Sequence, residues 1–187
     1  EGALGSAGSD PVKKNDPAQA IEQCRKPVIG AINGVAITGG FELALTCDVL
    51  IASTNARFAD THARVGVVPG WGLSQKLSRI LGISRAKELS FTGNFIDAQQ
   101  ALEWGLVNHV VAPDELLPLA RKLAGEMTTI DPEFLATYKR LIDDGYAANF
   151  GDAIEMEYKL ASTANAEVSP EGVEARRKDI LERGRKQ

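Results

Sequence analysis

The sequence is poor in the residues that build disulfide scaffolds and Cys/His metal cages. It holds two cysteines, Cys24 and Cys47, and two histidines, His62 and His109, among 187 residues. Two thiols without a framework spacing exclude a disulfide-stapled fold, and with no signal-peptide pattern they favour a reduced, cytoplasmic setting. Cys47 stands in an apolar run and is expected to behave as a small buried hydrophobe. Separated histidines and no Cys/His cluster imply no metal site. No apolar run approaches the ~20 residues of a transmembrane helix, so no membrane partner is expected. Charge of one sign is lacking as well. The net charge of −4 comes from acids and bases spread along most of the chain, so nothing suggests a nucleic-acid groove and no nucleic-acid partner is expected. The most basic segment, Arg176 to Lys186, reads as a solvated helix face, with contact to an anionic ligand as the alternative.

The composition that is present, 44% hydrophobic and 25% charged, is that of an ordinary soluble globular protein. The length suits one domain with a full core rather than two comfortable ones. Residues 1 to 18, rich in Gly, Ala, Ser, Asp and Pro, read as a loop or frayed terminus. KPVIGAING (Lys26 to Gly34) reads as a buried strand. The following stretch, GVAITGGFELALTCD, passes through Gly39-Gly40 into an apolar helix from about Phe41 to Cys47. VLIAS (Val49 to Ser53) is strand-like, and so is the short segment that ends at Ala59. Strand, helix, strand in this order predicts an α/β core with crossover connections.

Helical signals dominate the rest. Leu73 to Leu81 ends at Gly82, Ser84 caps the next helix, and Gly93 ends that one. Asp97 to Gln100 carries a capping-box pattern, with Gly105 closing the helix. GLVNHVV (Gly105 to Val111) predicts a short strand, which makes His109 structural. From Asp114 onward only helical signals remain. Leu116, Leu119, Ala120, Leu123 and Met127 recur at helical spacing. Asp131-Pro132 and Ser169-Pro170 are cap-plus-proline starts. Phe150 to Ala164 carries Ile154, Tyr158 and Ala161 on one face. This tail is expected to form a helical subdomain packed on the core or on a neighbouring subunit.

Two segments carry candidate chemistry. A Gly-Gly turn entering a helix leaves backbone N–H groups unpaired, and such donors can hold an oxyanion or a phosphate. The spacing matches neither a nucleotide P-loop nor a dinucleotide fingerprint. Glu42 falls in the first helical turn among Phe41, Leu43, Ala44 and Leu45. It is either a helix-dipole acid on an exposed face or a partly buried general acid/base. The other segment, FADTHARVGVVPGWG (residues 58 to 72), places His62 between a strand end and a Gly/Pro-rich loop.

Taken together, KPVIGAINGVAITGGFELALTCDVLIAS, ARFADTHARVGVVPGWG and FTGNFIDAQQALEWGLVNHVV closely resemble the crotonase, or enoyl-CoA hydratase/isomerase, family, from about residue 6 to the chain's end. The resemblance implies a spiral of ββα units (residues 1–112) followed by a C-terminal helical subdomain (113–187) used in oligomerisation, as a homotrimer or dimer of trimers. It also implies an acyl-CoA thioester substrate, with coenzyme A entering as part of that substrate and no separate cofactor. The thioester oxygen would lie between the N–H groups of Gly39 and Ala7, the latter within the SAGSD segment, and Ser6, Gly8, Asp10, Gly40, Pro69 and Trp71 would line the substrate. Glu42 matches one of the two catalytic carboxylates of family hydratases.

The chain departs from the family pattern at the second carboxylate, where His62 stands. A histidine can serve as acid/base, the more so if Asp60 and Glu42 approach it, or it can simply line the acyl pocket. Trp71 stands where a small residue is frequent, and either narrows the acyl site or is a packed loop aromatic. The first strands of the family core, and part of the interval from Ala7 to Lys26, are expected to be missing. The leading expectation is hydration of a trans-2-enoyl-CoA. The alternatives are another reaction of the family (isomerase, decarboxylase or thioester hydrolase) using one acid/base, or an acyl-CoA-binding member without turnover.

Overall fold

Short apolar runs between turn signals become strands, and the strands come in consecutive pairs. The computed structural model describes residues 16–185. Its strands are β1 (Ile29–Ile32), β2 (Val35–Ile37), β3 (Val49–Ser53), β4 (Arg57–Ala59), β5 (Ile96–Asp97) and β6 (His109–Val111). The helices of the first half are α1 (Pro17–Glu22), α2 (Gly39–Ala44), α3 (His62–Val65), α4 (Leu73–Leu81), α5 (Ile83–Thr92) and α6 (Ala98–Glu103). They are followed by α7 (Leu116–Met127), α8 (Pro132–Ala147), α9 (Phe150–Ala164) and α10 (Pro170–Gly184).

Parallel β1, β3 and β6 form one sheet in the order β1-β3-β6. The second sheet has the order β2-β4-β5, with β5 antiparallel to β4. Each pair, β1–β2 and then β3–β4, adds one strand to each sheet before helices return the chain. The result is a spiral of ββα turns. Central β3 is buried from Leu50 to Ser53, as expected for a parallel strand covered on both faces. Its neighbour β1 needs Gly30, because a Cβ there would meet Leu50 Cδ2 at 2.6 Å and Cys47 Sγ at 3.1 Å.

The core sits between the two sheets' helices. Phe41 of α2 and Phe58 of β4 meet with ring centroids 5.6 Å apart. Leu73, Leu77 and Leu81, spaced four apart, bury one stripe of α4, and Ala86 and Leu89 of α5 and Ala98 and Ala101 of α6 belong to the same cluster. A fully buried leucine contributes ~1.5–3 kcal/mol relative to an exposed one, so this stripe is what holds α4.

Several expectations need correction. The segment read as a frayed terminus contains the start of α1, which Pro17 opens behind the Asp16 cap. The helix expected from Phe41 to Cys47 starts two residues earlier, at Gly39, and ends at Ala44. Ser84 does not cap α5. Gly82 ends α4 and occupies the N-cap position of α5 with φ 80° and ψ 153°, a conformation that suits glycine. Cys47 is half-buried rather than buried. Strand β2 carries no long apolar run to announce it, since Val35 and Ile37 face outward around buried Ala36. Of the expected capping box, the N-cap half is present: Asp97 accepts from Gln100 N at 2.8 Å.

The chain divides into two compact units, one ending at Glu133 and one starting at Phe134. Helix α7 lies beyond the expected boundary at residue 112 but packs against β1 and β3. Its buried residue is Leu116. The second unit is helical. Asn149 and Ser169 cap α9 and α10 by accepting from Asp152 N and Gly172 N. Ion pairs Lys139–Asp143 and Lys159–Glu155, four residues apart, add a few tenths of a kcal/mol each. Within this unit α8 and α9 approach at Gly145, where a methyl would lie 3.6 Å from Ala153 Cβ.

Candidate active site

The site is built where two strands of the second sheet end. Strand β2 leads through Thr38 into α2, which carries Glu42, and β4 leads through Asp60 and Thr61 into α3, which begins at His62. Because β2 and β4 are parallel neighbours, with Ile37 opposite Ala59, the two helix starts emerge side by side. Thr38 and Thr61 join them through a hydroxyl–hydroxyl hydrogen bond. Thr38 also has φ 50°, the one positive φ of a non-glycine residue among the described residues. Such a conformation costs on the order of 1–3 kcal/mol and persists only where the surroundings enforce it. Here it turns the chain sharply from β2 into the Gly39-Gly40 start of α2.

Three ionisable side chains are buried together: Glu42 is 3% exposed, Asp60 2% and His62 5%. A buried charge without partners is prohibitively costly, so the partners decide what this cluster is. Glu42 Oε1 accepts from Trp71 N at 2.7 Å and, more weakly, from Leu73 N at 3.4 Å. Those amides lie at and just before the first turn of α4, whose own N-cap is Gly72 with no side chain to offer. Glu42 Oε1 is thus held by backbone amides at the N-terminal end of α4. Glu42 Oε2 is 3.3 Å from His62 Nε2. On the far side of the ring, His62 Nδ1 lies 2.7 Å from Asp60 Oδ1, which also accepts from His62 N at 3.1 Å.

The imidazole is thus bracketed by two carboxylates, one at each nitrogen. The partners run in a line rather than around a common point, and among the described residues no group is arranged to hold a metal ion. A line of this kind can pass a proton. The Glu42–His62 separation is at the loose end of hydrogen-bond reach, a common state for acid–base pairs before substrate binds.

The remaining candidates distribute around this pair. Gly39 opens α2, and a methyl on it would lie 3.3 Å from Trp71 Cζ3. The Trp71 ring therefore lies over the start of α2, half-buried, while its N–H holds Glu42. Exposed Gly40 follows Gly39, and half-buried Pro69 lies in the loop between α3 and α4. Ser6, Ala7, Gly8 and Asp10 lie outside the described residues. His109 stands exposed on β6, away from this constellation in role and burial. Reading the sequence left Thr38 and Thr61 out of the site and named Asp60 only as an acid that could approach His62, as both Asp60 and Glu42 do. The signal for Asp60 was its spacing: an Asp two residues before a His can accept that residue's backbone N–H and ring N–H together. His62, placed by sequence between strand and loop, in fact starts a helix and is buried. The short α3 ends at Gly66, whose φ of 74° suits glycine.

The chain is similar to known proteins over most of its length. The family model for enoyl-CoA hydratase/isomerase matches residues 8–181. The chain is 44% identical over 173 residues to the Arabidopsis thaliana protein named "Probable enoyl-CoA hydratase 1, peroxisomal", covering 92% of this chain and 65% of that protein. Among solved structures, the enoyl-CoA hydratase from Bacillus anthracis superimposes with a TM-score of 0.79 at 35% identity, covering 87% of this chain and 63% of that one. A Thermobifida fusca protein solved in complex with acetoacetyl-CoA gives a TM-score of 0.73 at 28% identity, covering 79% of this chain and 58% of that one. The chain thus spans less than two thirds of the length of these relatives. Its spiral of ββα turns, its Gly-Gly helix entry with the following glutamate, and these matches agree on one conclusion: the chain belongs to the enoyl-CoA hydratase/isomerase family.

Proposed function

We propose that the protein hydrates trans-2-enoyl-CoA thioesters, with Glu42 and His62 as its acid–base pair. The observation that carries this reading is the 3.3 Å approach of His62 Nε2 to Glu42 Oε2 inside a buried site. The residue standing where a second carboxylate was expected faces the first one and can exchange a proton with it. A histidine that merely lined a pocket would not need both ring nitrogens directed at carboxylates.

In the proposed reaction a water oxygen bonds to the β carbon of the enoyl group while its proton passes to the pair. The π electrons move toward the thioester, whose oxygen takes up the negative charge. A proton from the pair then goes to the α carbon, restoring the carbonyl and leaving a 3-hydroxyacyl-CoA. The N–H groups of Gly39 and Ala7 would hold the thioester oxygen, each such donor contributing about 2.7–4 kcal/mol to the transition state. Ser6, Gly8, Asp10, Gly40, Pro69 and Trp71 would line the acyl-CoA, with the Trp71 ring limiting the room over Gly39. No cofactor beyond the coenzyme A of the substrate is needed for this balance.

We also infer a homotrimer or dimer of trimers assembled through the C-terminal helices, and a cytoplasmic location consistent with the two unpaired thiols. The second reading, a one-base reaction of the family or acyl-CoA binding without turnover, draws on the replacement of a carboxylate by His62. Assay of crotonyl-CoA and a long-chain trans-2-enoyl-CoA, with binding measured in parallel, separates the two. Hydration of either substrate supports the proposal. Tight binding with no hydration of either overturns it in favour of the binder.

A further inference from the structure

We propose that Asp60 is a positioning residue that fixes the tautomer and orientation of His62, so that Nε2 is the nitrogen facing Glu42 and handling the proton. One donor at this contact cannot change. The backbone N–H of His62 always donates, and it donates to Asp60 Oδ1 at 3.1 Å. The same oxygen is 2.7 Å from His62 Nδ1. An oxygen already accepting one N–H, and belonging to an acceptor-only carboxylate, calls for N–H at the ring position too. Nδ1 therefore carries a hydrogen in every state of the ring that keeps this contact, and proton traffic is confined to Nε2.

The clamp is local and rigid. Asp60 follows the last residue of β4, whose neighbours Phe58 and Ala59 are fully buried, and its side chain closes a turn onto the first residue of α3. Glu42 is held from its own side by Trp71 N and Leu73 N through Oε1, so only Oε2 is turned to the histidine. Each partner of the proton transfer thus has one atom tied and one atom offered. A carboxylate that orients a histidine in this way is worth as much as ~10⁴ in rate in other enzymes, without itself touching substrate. The inference deepens the reading of Glu42 and His62 as the acid–base pair and rests on it, but its first readout does not depend on turnover.

The test compares the protein with its Asp60→Ala and Asp60→Asn variants. Nitrogen-15 spectra of the His62 ring report which nitrogen is protonated, whether or not the protein hydrates anything. The proposal expects Nδ1 protonated in the unaltered protein, the preference lost in Asp60→Ala, and retained in Asp60→Asn, whose carbonyl must occupy the same place to accept the His62 backbone N–H. In hydration assays Asp60→Ala should lower kcat about 10²-fold or more with little change in KM, and Asp60→Asn should recover part of the loss. An unaltered protein whose neutral His62 carries its proton on Nε2, or an Asp60→Ala variant whose ring protonation is unchanged, overturns the proposal. Absence of hydration in the unaltered protein counts against the proposed function alone, because the spectra still decide the role of Asp60.

Discussion

The two units invert the usual arrangement of a soluble protein in opposite ways. The first hides charge: Glu42, Asp60 and His62 are all buried. The second displays large apolar side chains, with Phe150 82% and Tyr158 75% exposed and no buried residue in α8 or α9. Neither is random. Buried charge is tolerated here because both Glu42 oxygens, both His62 ring nitrogens and Asp60 Oδ1 each face a partner. Exposed apolar side chains are unremarkable one at a time but form a row on α8, where Phe134, Tyr138, Ile142 and Tyr146 recur every four residues. This row is where the proposed assembly through the C-terminal helices would bury apolar surface. The contrast with α4 sharpens the point. Leu73, Leu77 and Leu81 have the same four-residue stride and are buried. Periodicity decides that a helix forms and which face is apolar; it does not decide what covers that face.

Breaking the buried side of this comparison has the largest expected effect. Glu42→Gln keeps the shape and the α4 amide contacts but removes the charge and the proton acceptor. It should lower kcat for enoyl-CoA hydration about 10²–10⁴-fold, measured by loss of the enoyl absorbance. Leu77→Ala, in the covered stripe of α4, should cost about 2–5 kcal/mol of stability in denaturant unfolding. Gly30→Ala should cost about 1–3 kcal/mol, because its methyl runs into Leu50 and Cys47. On the displayed side, Ile142→Ser should change unfolding free energy by no more than about 0.5 kcal/mol while shifting the sedimentation profile toward smaller species. If Ile142→Ser instead destabilises as Leu77→Ala does, the two stripes are not different and the comparison fails.

The smallest effect concerns Cys47. Burial, and secondarily the charge of Asp48, push its thiol above the ordinary range, with Lys76 acting weakly the other way. The folded state therefore prefers the protonated thiol. The stability this contributes is fully present below the thiol's unfolded pKa and is lost as pH rises through the folded one. Maleimide labelling of Cys47 at neutral pH should be slower than that of an unfolded-chain thiol and accelerate only in alkali. Rapid labelling at neutral pH would contradict the burial argument.

Much of the core was legible in the sequence because its signals are local. Val49 to Ser53 and Leu73 to Leu81 appear at the expected bounds, since a buried parallel strand and a capped amphipathic helix each announce themselves within a few residues. Strand β2 and helix α3 were not legible. The three residues of β2 are strand because β4 lies beside them, and the four of α3 are helix because Asp60 and Gly66 pin both ends. The family resemblance located Glu42 and His62, yet no pattern within one segment says that residues twenty apart touch. That contact depends on the parallel pairing of β2 with β4. The Thr38–Thr61 bond depends on it too, which is why neither threonine stood out.

The central claim is that Glu42 and His62 work as one unit, and a double-mutant cycle on kcat for crotonyl-CoA hydration tests it most directly. Groups that share one proton-transfer step are strongly non-additive. The account predicts that Glu42→Gln combined with His62→Ala loses little more than the worse single variant. Losses that multiply, with each variant costing the same whether or not the other is present, would contradict it.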